Sequence, residues 1–116
     1  MDDQPLAPVD AFAPLAEEPR WPEGWWYLRD EPDLRVGLQR ELHAELSAVH
    51  PLWGLQPVVV AKCDRSDDVL VRLRDGRFAF VHLVWHGKVD PVPDAFPATR
   101  IVEGLAALQA ELEGGG

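Results

Sequence analysis

At 116 residues, 47% apolar and 27% charged, the chain has the size and balance of one soluble globular domain, long enough to bury roughly two-thirds of the surface its unfolded form exposes. Its formal net charge of −9 argues against nucleic acid and against anionic membrane surfaces, both of which are held by clustered Lys and Arg. No apolar run approaches the roughly 18 residues of a membrane span, and the single cysteine, Cys63, excludes an intrachain disulfide framework and fits a reducing cytoplasm.

The first ten residues, MDDQPLAPVD, have neither a positive n-region nor an apolar h-region, so no secretory signal is expected. Residues 1–20 hold Pro5, Pro8, Pro14 and Pro19 among scattered acids. Such a stretch buries too little to offset its ordering entropy and is expected as a flexible arm on a single domain spanning 21–113. WPEGWWYL, 21–28, is too aromatic to be left in water. Trp21, Trp25 and Trp26 either fold back onto the domain or form an interaction surface for another chain.

A helix follows, with Asp30 or Asp33 suited to cap it. Leu34, Leu38, Leu42 and Leu46 form an i+4 row that Val49 continues, while Arg35, Gln39, Arg40 and Glu41 lie off it. His50 precedes Pro51, which places the helix end near Val49. HPLWG then turns the chain into three strands: PVVVAKC (57–63), DVLVRLR (68–74) and RFAFVHLVW (77–85). Asp75-Gly76 reads as a two-residue type I′ hairpin loop. GKVDPVPDAFPA (87–98) is a Pro-rich loop, TRIV (99–102) a short fourth strand, and GLAALQAEL (104–112) a second helix with Leu105, Leu108 and Leu112 on one face. The three glycines at 114–116 are expected to be disordered. The fold class is therefore α+β: an N-terminal helix packed on a three- or four-stranded antiparallel meander, with a C-terminal helix.

A two-residue loop at Asp75-Gly76 sets a register in which Val69 faces His82, Val71 faces Phe80, Leu73 faces Phe78 and Arg74 faces Arg77. Asp67 then lies between His82 and His86 on one face, an arrangement with the composition of a two-histidine, one-carboxylate metal site. The simpler reading makes His82 a core histidine satisfied by Asp67, Asp68 or a backbone carbonyl, and this packing reading is favoured. Cys63 with His50 or His82 has the elements of a thiol nucleophile and base, but a lone cysteine late in an apolar strand is more often a buried small side chain. Trp53 and Trp85 are expected in the core. Arg72, Arg74 and Arg77 make the hairpin tip a small basic spot on an acidic protein.

HPLWG (50–54), DDVL (67–70), DGRFAFVHLVW (75–85) and the loop ending FPATR resemble a set of small hypothetical bacterial proteins with HPL-x-G, DDVLF-like and VHLTW-like segments. The resemblance covers roughly 38–112; Val71 stands where Phe is common and Val84 where Thr is common. It implies a recurring domain and supplies no activity. Nine Arg against two Lys, no Asn and one Ile agree with G+C-rich bacterial coding. The expected protein is a small, non-catalytic cytoplasmic interaction or regulatory protein without a cofactor, associating with itself as a homodimer or with another protein. The alternative is a metal-binding protein or metal-dependent enzyme using Asp67, His82 and His86.

Overall fold

Strands β1 (Trp25–Tyr27), β2 (Val58–Cys63), β3 (Asp68–Arg72), β4 (Phe78–His82) and β5 (Ala98–Val102) lie side by side in chain order in one antiparallel sheet. Helix α1 (Pro32–Glu45) stands between β1 and β2, and α2 (Leu105–Gly114) follows β5. The structure is a computed structural model that describes residues 6–12, 14–85 and 87–114. The α+β class holds, with two differences from the sequence reading: the sheet has five strands, and a strand precedes the first helix. β1 is three residues long, too short for alternation to show in sequence. It becomes a strand by pairing with β2, Trp25 opposite Cys63 and Tyr27 opposite Ala61.

Both faces of the central strands are apolar, and both are covered. On one face Leu38, Leu42 and Leu46 meet Val59, Val69, Val71, Ala79, Val81 and Leu83. On the other, Leu108 and Leu112 of α2 meet Val60, Leu70, Phe78 and Val102. A register shift between Val59 and Ala61 marks a bulge in β2. Through it Val59 joins the α1 side while Val60 and Ala61 both join the α2 side.

The β3–β4 hairpin differs from expectation by one residue. Val69 pairs with Val81, Leu70 with Phe80 and Asp68 with His82. The cause lies in the loop, where Gly76 N donates to Leu73 O and Leu73 N donates to Arg77 O. Three residues, Arg74 to Gly76, make the turn, and of these only Gly76 takes positive φ, at 90°. This is a type I turn closed by a left-handed glycine, the usual three-residue hairpin. Asp75 caps it by accepting Arg77 N at 3.0 Å and Arg77 Nε at 2.9 Å. Slipping the register by one residue moves Phe78, Phe80 and His82 to the face opposite Val69 and Val71.

Helix α1 begins at Pro32, whose fixed φ suits a first helical position; its N-cap is Glu31, without a side-chain cap, so neither Asp30 nor Asp33 serves. It ends at Glu45 rather than near Val49. Its buried face is Arg35, Leu38, Gln39, Leu42 and Glu45, whereas Leu34 and Val49 are exposed. A strict i+4 row drifts around a 3.6-residue helix, so positions 35, 39 and 45 fill the inward side. Gln39 uses its place well: Nε2 donates to Pro57 O at 2.7 Å and Oε1 accepts Val59 N at 2.8 Å, joining α1 to the start of β2.

The described part of the N-terminal arm lies against the domain rather than away from it. Ala7 and Leu15 are buried. Arg35 Nη1 donates to Ala11 O at 2.9 Å, and its guanidinium sits 4.6 Å from the centre of the Phe12 ring. Of the expected disordered tail, Gly114 closes α2 and residues 115–116 lie outside the described residues.

Candidate functional site

One row of side chains crosses the sheet on the α2 face. Cross-strand pairing puts Trp25 beside Cys63, Asp68 beside His82, and His82 beside Ala98. Extending the Lys62–Val69 pairing by one residue sets Cys63 beside Asp68. The row floors one end of an open groove of about 740 Å³ between the sheet and α2. Trp25 meets the Phe80 ring edge-on there, centroids 5.7 Å apart.

His82 Nδ1 lies 2.8 Å from Asp68 Oδ1. Nδ1–H donates to the carboxylate, which orients the ring. The side chain of His82 is 54% exposed, so the expected core histidine is a surface histidine with an aspartate partner. Asp67 immediately precedes β3, and its backbone carbonyl accepts Leu83 N at 3.0 Å; the carboxylate that meets His82 is that of Asp68. His86 lies outside the described residues. Among the described residues, no group of three or more His, Cys, Asp and Glu has the geometry to hold a metal ion.

The thiol–imidazole pairing does not form. Cys63 and His82 are two strands apart, roughly 10 Å, well beyond the roughly 3 Å that proton transfer needs. His50 is buried and committed elsewhere. Its Nδ1 accepts Leu52 N at 3.1 Å, and Nε2–H donates to Pro97 O at 2.8 Å. Charges around the groove are already matched within the chain, Arg65 with Glu23 and Arg100 with Glu111.

Of Trp21, Trp25 and Trp26, expected either to fold back or to form an interaction surface, two pack on their own domain. Trp21 stacks on Tyr27 at 5.5 Å, and Trp25 joins the α2-side core. Trp26 is exposed, with Nε1–H donating to Asp64 Oδ2 at 3.0 Å. Trp53 packs against the α1-side core as expected, but Trp85 does not: it is 47% exposed, with a backbone φ of 65°. Positive φ in a bulky residue costs about 1 kcal/mol or more and persists where the surroundings impose it.

Those surroundings are two glutamates. Glu45, only 2% exposed, accepts Val84 N at 2.8 Å through Oε1 and Trp85 N at 2.7 Å through Oε2. Glu41, one turn earlier, accepts Gly87 N at 2.9 Å. Burial and a hydrogen bond with the Glu41 carboxyl push Glu45 up to about 7, against the opposing pull of the Val84 and Trp85 amides. Beyond this clamp the chain presents Val89, Val92 and Phe96, all exposed, before His50 fixes it again at Pro97. Glu45 lies off the leucine row, so that row does not point to it. The available signal was the 3.6-residue period, which places 45 with 38 and 42 on the inward face.

Among the described residues no helix is long and apolar enough to cross a membrane. Comparison with protein-family models, with curated proteins and with solved structures finds no match.

Proposed function

We propose that the chain is a non-catalytic interaction protein of the bacterial cytoplasm, and that the 85–96 segment is its contact surface, for a second copy of itself or for another protein. The observation that carries this reading is the clustering of Trp85, Val89, Val92 and Phe96, each at least 40% exposed, within one short segment. A soluble chain that leaves four large apolar groups together in water gains by covering them. The segment is also held at both ends, by Glu45 and by His50. Ordering before contact lowers the entropic cost of association.

Sedimentation equilibrium on the chain and on a Val92→Asp/Phe96→Asp variant tests the reading. The expected outcome is a parent dimer and a monomeric variant with unchanged circular dichroism. A monomeric parent whose captured proteins are the same as those of the variant removes it.

The metal-dependent alternative retains one supporting observation, the exposed imidazole of His82 oriented by a carboxylate. Elemental analysis of chain purified without chelator, beside His82→Ala, tests it. Stoichiometric metal that disappears in the variant supports it, and metal-free parent protein removes it.

A further inference from the structure

Glu41 and Glu45 stand one helical turn apart on α1 and hold backbone amides on either side of position 86. Glu45 takes the Val84 and Trp85 amides, and Glu41 takes that of Gly87. Two carboxylates one helical turn apart that grip neighbouring amides repel each other, and a proton on one of them relieves the repulsion. Their freedom to respond is unequal. Glu45 is enclosed at 2% exposure, with both oxygens engaged by amides, whereas Glu41 is only half-buried.

We propose that the Glu41–Glu45 pair is a one-proton clasp: with the proton in place it fastens the chain at the Val84 and Trp85 amides and at the Gly87 amide, and without it Glu41 swings to solvent and frees the Gly87 side. Release at Gly87 loosens Val89, Val92 and Phe96, the exposed groups that follow it. The inference rests on the reading that 85–96 is a contact surface, and it supplies the regulation of that surface.

The groups that face the pair are few. From α1 each carboxyl faces the other, while His43 on the same helix is engaged by Gln39 at 3.0 Å. From the opposing segment come the amides of Val84, Trp85 and Gly87; His86 of that segment lies outside the described residues. No ion pair with Lys or Arg reaches either carboxyl among the described residues. With burial as the leading cause, Glu45 releases its proton near pH 7, which sets the transition close to neutrality. The sign follows from linkage. The folded chain keeps a proton that the unfolded chain sheds above its ordinary value of 4.5, so stability from this group declines as pH rises from there to about 7.

Residue-resolved amide exchange by NMR on the full chain at pH 6 and pH 8, with protection corrected for intrinsic rates, reads the clasp directly. The expected result is a fall of about tenfold or more in Gly87 protection at pH 8, a change equivalent to about 1.4 kcal/mol of local opening. Val84 and Trp85 are expected to keep their protection. In Glu41→Gln and Glu45→Gln the fall should vanish, because glutamine keeps a carbonyl acceptor and removes one of the two charges. Equal Gly87 protection at both pH values in the parent overturns the proposal, as does an undiminished fall in Glu41→Gln. Glu41→Gln alters a half-buried position, so it decides the matter even if Glu45→Gln does not fold. The readout needs no partner, so its failure and a failure of the contact reading are separate results.

Discussion

His50 Nε2 donates to the Pro97 carbonyl at 2.8 Å, across 47 residues of sequence. The contact ties the HPLWG turn to the start of β5 and ends the exposed 85–96 segment at a fixed point. His50 also accepts Leu52 N through Nδ1, so the ring is satisfied on both nitrogens as a neutral imidazole.

Replacing His50 by Phe keeps an aromatic ring at the position and removes both bonds. Thr99 Oγ1 also donates to Pro97 O, at 2.9 Å, so that carbonyl retains a partner while the buried Leu52 amide does not. The expected cost is about 1–3 kcal/mol, the range for one orphaned buried polar group. Urea unfolding checks it, with a lower midpoint at unchanged slope. A variant within about 0.5 kcal/mol of the parent would show that the Pro97 tether does not hold the loop.

Stability against pH has two opposed contributions. Burial lowers His50 and His43 below their ordinary value of 6.5, so the unfolded chain binds protons first and stability is lost as pH falls through 6.5. Glu45 acts in the other direction, losing stability as pH rises from 4.5 to about 7. The parent is therefore expected to vary little between pH 5 and 7. In Glu45→Gln only the histidine contribution remains, and its unfolding free energy should rise with pH over that range. Urea midpoints at pH 5, 6, 7 and 8 for both proteins test this, and parallel profiles would refute the assignment.

The meander β2–β3–β4 and both helices were legible because each shows its own period over five residues or more. The register was not. Asp75-Gly76 is the strongest two-residue hairpin signal, yet the chain uses Arg74 as a third loop residue. Arg74 N donates to Leu55 O at 2.9 Å, which draws it out of the ladder. That bond joins residues 19 apart and has no local signature. The same limit hid Glu45, whose partners Val84 and Trp85 lie about 40 residues on. The Asp–His pairing survived the one-residue slip because Asp67 and Asp68 are adjacent, and the shift exchanged one for the other.

Gly76 tests the turn itself. Its φ of 90° is strained for any L side chain, and an added Cβ would meet nothing within 4 Å. The cost of Gly76→Ala is therefore backbone strain alone, about 1–2 kcal/mol. Thermal or urea unfolding measures it. A neutral result would show that position 76 does not take left-handed φ, which the three-residue turn requires.

Trp85 offers a way to separate surface from fold. Its φ of 65° suits glycine, and its ring is 47% exposed. Trp85→Gly relieves roughly 1 kcal/mol of left-handed strain and loses about 0.5–1 kcal/mol to greater freedom of the unfolded chain. It also loses whatever the half-covered ring buries. Net stability should thus stay within about 1 kcal/mol of the parent, and Trp85→Ala, which keeps the strain, should be the less stable of the two. Association should respond differently, since loss of a tryptophan near the centre of a contact costs about 2 kcal/mol or more, roughly a thirtyfold weakening. Both variants are expected to weaken self-association measured by sedimentation, while only their stabilities differ. Full association in Trp85→Gly would exclude the ring from the contact and shift attention to Val92 and Phe96.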